Sequence, residues 1–329
     1  MTKIEVQPSL ERILTLELAR VTEAAAIAAW RQVGRGDERA ADQAAVDAMR
    51  TALNTCNIDG TIVIGEGERD EAPMLFIGEK VGTGKGPRVD IALDPLEGTT
   101  LTAKAMANAL AVVAVAQGGT LLNAPDTYMD KIAIGGGYED GVVDLDADPA
   151  DNIMSLAKAK GVKPHDISAC ILDRPRHEKI IASVRKTGAS IRLISDGDIA
   201  GVIHCAEPTT GIDIYLGQGG APEGVLAAAA LRCIGGQIQG RLVFRNDDER
   251  SRAARWGITD LNRKYKTQDM ASGDVMFAAT GVTDGSMLEG IHRVGGFISS
   301  HTVVMRSATQ TVRWIKARHV AGRKDPMEN

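Results

Sequence analysis

The chain has 329 residues, enough to bury a large core in one large module or in two lobes. Its net charge of −5 and its 3% of aromatic residues argue against nucleic-acid binding, which depends on basic patches and aromatic stacking. No membrane partner is expected, because the longest apolar run, residues 109–116, is too short to span a bilayer and the first residues have no apolar signal core.

Cysteine and histidine spacing indicates a reduced, zinc-free protein. The cysteines lie far apart in apolar surroundings, at Cys56, Cys170, Cys205 and Cys233. We therefore expect reduced core residues and a cytoplasmic location. The histidines show no H-x₃-H pattern, which makes a zinc site improbable.

Two helices are predicted first. Apolar residues recur at helical spacing over residues 9–33, and the segment Gly34–Asp37 ends that helix. A second helix follows from about Ala40, with Asp42 in its first turn. By local rules, Asp42 there only complements the helix dipole.

An acid-rich loop follows the short apolar strand predicted at residues 61–64. Residues 65–71 hold four acids, Glu66, Glu68, Asp70 and Glu71, interleaved with glycine. A solvated loop would tolerate their mutual repulsion, whereas a bound cation would relieve it.

The next strand, residues 89–93, is predicted to end at Asp94, because Pro95 cannot extend a ladder. Asp94 and Glu97 then project from a strand end and are followed by Gly98 and Thr99. Carboxylates bind hard cations such as Mg²⁺ or Mn²⁺. The alternative is an ordinary surface turn with Asx hydrogen bonding.

Strands at 109–116, 131–134 and 142–145 follow without intervening helices, which predicts an antiparallel region. Asp148 and Pro149 then begin a helix that ends at Gly161. This change divides the chain into a metal-binding lobe at 9–147 and a substrate lobe at 148–322, followed by a polar tail at 323–329. We expect one compact module, since no long linker separates the lobes.

Strands and helices alternate in the second half, which predicts a mostly parallel sheet. The predicted strands are 167–172, 190–194 and 211–216, and the helices are 177–186, 199–206 and 223–234. Ligands gather at the carboxyl ends of strands in such sheets, and polar clusters at 173–177, 196–198 and 217–224 lie there. Further strands are predicted at 275–280, 297–305 and 311–315, with a charged helix at 247–255.

Five acids close strands or open helices: Asp42, Glu66, Asp94, Glu97 and Glu223. Each alone could be a cap or a turn residue. Together they form an all-oxygen ligand set, which points to Mg²⁺ or Mn²⁺. With arginines at other strand ends, they favour chemistry on a phosphate ester.

The segment Asp94-Pro95-Leu96-Glu97-Gly98-Thr99 resembles the metal-binding signature Asp-Pro-Leu-Asp-Gly-Thr of the inositol-phosphatase-like sugar phosphatases, with Glu97 replacing the second Asp. Other segments narrow the resemblance to class II fructose-1,6-bisphosphatase: 62–68, 70–75, 123–129, 175–177, 196–198 and 219–224. The resemblance runs from about Leu18 to Pro326, nearly the whole chain.

The resemblance implies an α/β fold, the layered αβαβα sandwich, mixed or antiparallel in its first half and mostly parallel in its second. It implies a Mn²⁺- or Mg²⁺-dependent phosphatase that removes the 1-phosphate of fructose 1,6-bisphosphate in gluconeogenesis, and a homo-oligomer, dimer or tetramer. The family's metal-binding acids match Asp42, Glu66, Asp94, Glu97 and Glu223. Its catalytic threonine matches Thr99, with Asp70 also implicated. Its substrate contacts match Glu97, Gly98, Thr99, Tyr128, Arg174, Pro175, Arg176, Asp196, Gly197, Asp198 and Gly220.

Three positions depart from the family pattern. Arg174 stands where Lys is common, Glu38 where many members carry Lys, and Gln218 where an apolar residue is frequent. Sedoheptulose 1,7-bisphosphate, which has the same reactive end, is an alternative substrate. A non-catalytic metal-dependent sugar-phosphate sensor is the alternative function, against which the intact Thr99 speaks.

Overall fold

The computed structural model describes residues 14–67 and 74–321. Within these ranges the helices are α1 Leu14–Trp30, α2 Glu38–Leu53, α3 Thr99–Ala103, α4 Pro149–Lys160, α5 Glu178–Lys186, α6 Asp198–His204, α7 Ala221–Ile234, α8 Asp247–Arg255 and α9 Thr267–Met270. The strands are β1 Asp59–Ile64, β2 Lys80–Val81, β3 Arg88–Glu97, β4 Leu110–Gln117, β5 Tyr128–Ile134, β6 Ser168–Leu172, β7 Ser190–Ile194, β8 Ile214–Gly220, β9 Gln237–Val243, β10 Tyr265–Lys266, β11 Val275–Gly281, β12 His292–Val294, β13 Phe297–Arg306 and β14 Thr311–Val320. None of these helices has the length and apolar character needed to cross a membrane.

The chain forms two compact units. Unit 1 contains the described residues up to Leu121 and from Ser272 onward, and unit 2 is Leu122–Ala271. The predicted boundary between residues 147 and 148 therefore falls inside unit 2. The last strands return to unit 1 because β11 pairs antiparallel with β4 along its whole length. That the units make one compact module remains a prediction.

Unit 1 is built on an eight-stranded sheet. Its order is β12-β13-β11-β4-β3-β1-β2, with β14 on β13. Both predicted N-terminal helices are present, and their buried faces, including Leu18, Ala25, Met49 and Leu53, share one apolar cluster with the strands. The predicted beginning of the first helix at residues 9–13 lies outside the described residues.

The predicted end of the central strand at Asp94 is wrong, because β3 continues through Pro95 to Glu97. Asp94 faces Val112 and Glu97 faces Leu110, so β3 carries one more residue than β4 between these two pairs. Such a β-bulge interrupts the ladder, and proline is tolerated there because no ladder donor is needed. The Leu96 N–H donates instead to Asp94 Oδ1 over 3.0 Å.

Unit 2 is built on a six-stranded sheet in the order β10-β9-β5-β8-β6-β7. The predicted parallel arrangement is present in β7, β6 and β8. The other pairs are antiparallel, because β5 from the start of unit 2 inserts between β8 and β9. Pairing of this kind joins residues far apart in sequence, so alternation of strands and helices does not reveal it.

The strand predicted at residues 142–145 is not formed, and these residues lie in irregular backbone with bends and a turn. Its backbone groups bind side chains instead of a strand. Gln239 accepts from the Leu145 N–H over 3.0 Å and donates to the Val143 carbonyl over 2.8 Å, and Asn152 bonds both backbone groups of Asp144. The apolar pattern there reflects the burial of Val143 against the core.

Helices lie on both faces of the unit 2 sheet. Ile132 and Ile134 of β5 share an apolar cluster with α4 and α5, whereas the odd-numbered Met129 and Lys131 approach α7 at Gly224. This alternation follows from the pleat of the strand. Mixed helix and strand content with helix-covered sheets confirms the predicted α/β class.

Candidate active site

The acid pair of unit 1 lies at the bulge that ends β3. Asp94 is half-buried and Glu97 is buried, and each offers a carboxylate oxygen within 4.8 Å of the other. The bulge advances the strand by one extra residue, which reorients the side chains on either side of it. Two oxygen ligands at this separation suit a hard divalent cation.

Gly98 turns the chain directly after this pair. Its φ of 91° lies in the left-handed region, and a Cβ there would come 2.8 Å from Leu101 Cδ1. Helix α3 then begins at Thr99, which is half-buried. The turn thus places a hydroxyl two residues after the Glu97 carboxylate.

Two more acids of unit 1, Asp42 and Glu66, interact electrostatically with one another, and Glu66 also interacts with Asp94. Asp42 is the fifth residue of α2 and lies in its second turn, not its first as predicted, because the helix begins at Glu38 behind the N-cap Asp37. Burial raises the pKa of Asp42. Burial, followed by the charges of Asp94 and Asp42, raises the pKa of the Glu66 carboxyl to about 8. The protein therefore holds these carboxylates where a cation would be stabilised.

The buried acid Glu79 supports the loop that carries Glu66. The Glu66 N–H donates to the Leu75 carbonyl over 3.1 Å. Glu79 in turn accepts from the Leu75 N–H and, over 2.6 Å, from Arg50 Nε on α2. Asp70, the second predicted catalytic residue, lies outside the described residues.

The substrate residues predicted in unit 2 gather at one edge of its sheet. Leu172 pairs with Ile194, and Tyr128 pairs with both Gly220 and Val243. The carboxyl ends of β6, β7, β8 and β9 therefore meet the beginning of β5. Arg174–Arg176, Asp196–Asp198 and Gly220 follow or close these strands.

Two arginines and two aspartates lie along this edge of the unit 2 sheet. Arg174 Nη2 lies 4.0 Å from Asp196 Oδ1. Arg176 donates to the Gln218 carbonyl from Nε over 3.2 Å and from Nη2 over 2.8 Å, and its guanidinium lies 5.0 Å from the Tyr128 ring centroid. Asp198 is buried and pairs with the buried Lys131, which also donates to the Gly220 carbonyl over 2.9 Å.

His177 fixes the arginine segment to β8. Its Nδ1 lies 2.7 Å from the Leu172 carbonyl, and its Nε2 lies 2.8 Å from the Gln218 N. A carbonyl only accepts and an N–H only donates, so the ring is the neutral Nδ1–H tautomer. Burial lowers the pKa of His177, which keeps it neutral.

Gln218, one of the departures from the family pattern, has a structural role here. Its side chain donates to Asp130 Oδ1 over 2.9 Å, across the β5–β8 pair. Together with the two backbone contacts described above, this fixes the strand beside Arg176. The other two departures lie at accessible positions: Glu38 is exposed and Arg174 is half-buried.

Glu223 lies in the first turn of α7, whose N-cap is Gly220. A Cβ at Gly220 would lie 1.8 Å from Glu223 Oε2, so a side chain there would displace the carboxylate, which folds back over the beginning of the helix.

The matching family model and the similar proteins all carry the name fructose-1,6-bisphosphatase. The family model for bacterial fructose-1,6-bisphosphatase, glpX-encoded, matches residues 12–319. The chain is 46% identical to fructose-1,6-bisphosphatase 1 class 2 of Escherichia coli K12, over 96% of this chain and 98% of that protein. The class 2 enzymes of Escherichia coli O6:H1 and Shigella flexneri match with the same identity and coverage.

The chain belongs to the bacterial fructose-1,6-bisphosphatase family. Membership confirms the predicted resemblance, and the two helix-covered sheets are consistent with the αβαβα sandwich. The roles of the individual family-matched residues remain predictions.

Sequence motifs missed several residues that shape these sites. Glu79 with Arg50 supports the acid loop, and Lys131 and His177 fix the substrate segments. Each acts through a partner distant in sequence. The one visible signal was Lys131 directly before the apolar residues 132–134 of a predicted strand, since a buried lysine requires a partner.

We expect the metal-free protein to lose stability as the pH rises from about 5 to 8. The pKa of Glu66 is raised from 4.5 to about 8 in the folded protein, so the folded state binds more protons than the unfolded state within that window. Glu66→Gln should flatten this fall in the melting temperature, measured in EDTA, and Glu38→Gln, an exposed acid on α2, should not. A wild-type melting temperature that rises through this window would contradict the prediction.

Proposed function

We propose that this protein hydrolyses the 1-phosphate of fructose 1,6-bisphosphate, giving fructose 6-phosphate and inorganic phosphate, with Mn²⁺ or Mg²⁺ as cofactor. The observation that carries the proposal is the carboxylate pair Asp94 and Glu97 at a strand bulge, followed at once by the Thr99 hydroxyl. The relatives named as class 2 fructose-1,6-bisphosphatases supply the substrate class.

The residues of unit 1 fit a divalent cation. The nearest carboxylate oxygens of Asp94 and Glu97 lie within 4.8 Å of one another, and burial, followed by the charges of Asp94 and Asp42, raises the pKa of Glu66. Bound Mn²⁺ or Mg²⁺ would supply Lewis-acid stabilisation of the phosphoryl oxygens. Asp42 and Glu66 are proposed as further ligands, and Glu223 of unit 2 is proposed on the resemblance alone.

The chain's own groups would position and deprotonate the attacking water. A threonine hydroxyl both accepts and donates, so Thr99 can orient a water molecule for in-line attack on phosphorus. A carboxylate such as Glu66 or Asp70 would accept the proton that the water loses. The bond from phosphorus to the sugar oxygen breaks as the new bond forms, and that oxygen takes a proton from solvent and leaves as the 1-hydroxyl of fructose 6-phosphate.

Unit 2 would hold the rest of the sugar bisphosphate at the strand edge described above. Arg174 and Arg176 suit the distal 6-phosphate through charge-assisted hydrogen bonds, with Pro175 shaping their segment and Tyr128 beside Arg176. Asp196 and Asp198, on either side of Gly197, suit sugar hydroxyls, since carboxylates repel phosphate. Gly98 and Gly220, which have no side chains, would contact the substrate through their backbone groups.

Sedoheptulose 1,7-bisphosphate remains a second proposed substrate because its reactive end is the same. The names of the relatives support an enzyme, and they do not favour the alternative of a non-catalytic sugar-phosphate sensor. A homo-oligomer, dimer or tetramer, is proposed from the resemblance, and a cytoplasmic location is proposed from the widely spaced, buried free cysteines.

The deciding experiment measures phosphate release from fructose 1,6-bisphosphate and sedoheptulose 1,7-bisphosphate with Mn²⁺, with Mg²⁺ and with EDTA. Release from the fructose substrate that requires metal supports the proposal. No release with either metal would overturn it.

Arg176→Ala is expected to lower kcat/KM for fructose 1,6-bisphosphate by about 10- to 150-fold, partly through KM. A charge-assisted contact to phosphate contributes roughly 1.5–3 kcal/mol. Hydrolysis of p-nitrophenyl phosphate, which has no second phosphate, should barely change. Arg185→Ala, an exposed arginine of α5, is the control, and an equal fall with both substrates would place Arg176 at the reacting phosphate.

A further inference from the structure

Two arginines, not one, contact the Tyr128 ring in unit 2. The guanidinium carbon of Arg176 lies 5.0 Å from the ring centroid, and that of Arg245 lies 4.9 Å from it. Both distances are within the range of a cation–π contact. Arg245 follows β9, whose last residue, Val243, pairs with Tyr128, so it reaches the same sheet edge as Arg176.

Arg245 is held in place by a buried acid. Glu249 is 1% exposed, and its Oε1 lies 2.6 Å from Arg245 Nε and 2.5 Å from Arg245 Nη2. The other oxygen, Oε2, accepts from the Arg245 backbone N–H over 2.7 Å and from the Thr127 hydroxyl over 3.0 Å. Glu249 thereby ties Arg245 to the residue that precedes Tyr128.

The charges around the ring favour an anion. Arg176 donates to the neutral carbonyl of Gln218, whereas Arg245 is paired with Glu249. The two guanidiniums and the Glu249 carboxylate together carry one net positive charge, and the Asp126 carboxylate acts on Arg245 through its charge alone. The Arg245 side chain is 55% exposed despite its fixed position, so a ligand can reach it. Oriented guanidiniums with accessible N–H groups are suited to a phosphate monoester.

We propose that Arg245 is a specificity-determining residue that binds the distal phosphate of the sugar bisphosphate together with Arg176, on either side of the Tyr128 ring. The proposal rests on the proposed function, and it adds a residue outside the motifs that carry the family resemblance. Glu249 acts as a positioning residue that fixes the direction of the Arg245 guanidinium.

A purely structural role for Arg245 makes a different prediction. If the arginine served only to neutralise buried Glu249, then Arg245→Met would act by leaving that carboxylate unpaired. The double variant Arg245→Met with Glu249→Gln removes both charges and so restores a neutral site. A phosphate-binding role predicts that the double variant keeps the defect.

The first test compares steady-state kinetics on two substrates. Arg245→Met and the double variant should each lower kcat/KM for fructose 1,6-bisphosphate by about 10-fold or more, mainly by raising KM, while p-nitrophenyl phosphate hydrolysis changes little. Arg245→Lys should retain part of the activity. Arg250→Met is the matched control, because Arg250 lies on α8 in an exposed pair with Asp247 over 2.8 Å. Recovery in the double variant, or an equal fall with both substrates, overturns the proposal.

The second test is independent of turnover and uses the binding of fructose 6-phosphate to the whole protein, measured by calorimetry in EDTA. Wild type and Arg250→Met should bind alike, and Arg245→Met and the double variant should bind about 10-fold or more weakly. If wild type released no phosphate from fructose 1,6-bisphosphate, the proposed function would fail, yet this selective loss would still support the role of Arg245. Equal binding by all four proteins would overturn that role.

Discussion

Asp94→Asn is expected to lower kcat for fructose 1,6-bisphosphate by about 10³-fold or more, measured with saturating Mn²⁺ or Mg²⁺. Asp94 and Glu97 offer oxygens within 4.8 Å of one another, and loss of one anionic ligand removes several kcal/mol of charge stabilisation. An amide is a weaker ligand for a hard cation than a carboxylate.

The same variant should keep its fold. Asn can still accept the Leu96 N–H through its side-chain oxygen, as Asp94 Oδ1 does over 3.0 Å. Removing a charge that raises the pKa of Glu66 also relieves repulsion, so the melting temperature in EDTA should stay the same or rise. Asp59→Asn, in a 3.9 Å surface pair with Lys80, is the control. A lower melting temperature for Asp94→Asn in EDTA would show a structural role and defeat the metal-site proposal.

Thr99→Ala is expected to lower kcat by about 10²-fold or more, whereas Thr99→Ser should keep measurable activity. The reason is that a positioned hydroxyl contributes on this scale when it orients a reacting water. The serine keeps the hydroxyl and loses only a methyl group, while helix α3 retains its first residue in both variants.

The adjacent hydroxyl provides the matched comparison. Thr100 lies one residue further along α3 and is also half-buried. Thr100→Ala should therefore show any effect on kcat that comes from altering helix α3 itself, but it should not show the roughly 10²-fold fall in kcat expected for Thr99→Ala. Equal kcat values for Thr99→Ser and Thr99→Ala would show that the hydroxyl takes no part in the reaction.

Local chemistry made many of the elements predictable. The helix that begins behind Asp148 and ends at Gly161 is present as expected, because an N-cap carboxylate, a proline at N1 and a left-handed C-cap glycine act within a few residues. The same holds for β7 at Ser190–Ile194 and α8 at Asp247–Arg255, whose bounds match the prediction.

Elements that depend on distant partners were less predictable. Pro95 indicates a strand end by local rules, yet β3 passes through it because Val112 and Leu110 on β4 supply the ladder on either side of a bulge. The segment 142–145 has the apolar pattern of a strand, but the side chains of Gln239 and Asn152 take its backbone hydrogen bonds.

The sequence by itself determined the family, and through the family the α/β class. It also identified the carboxylates and arginines proposed for function, because these residues occur in short motifs of fixed spacing. Only the tertiary structure decided which strands share a sheet, with β11 to β14 joining unit 1 and β5 inserting between β8 and β9. It alone also brought Lys131 to Asp198, His177 to Gln218, and Arg245 to Tyr128. These contacts join residues 41 to 117 positions apart, and no local propensity encodes a partner at that distance, since pairing is selected by burial and hydrogen bonding in the assembled core.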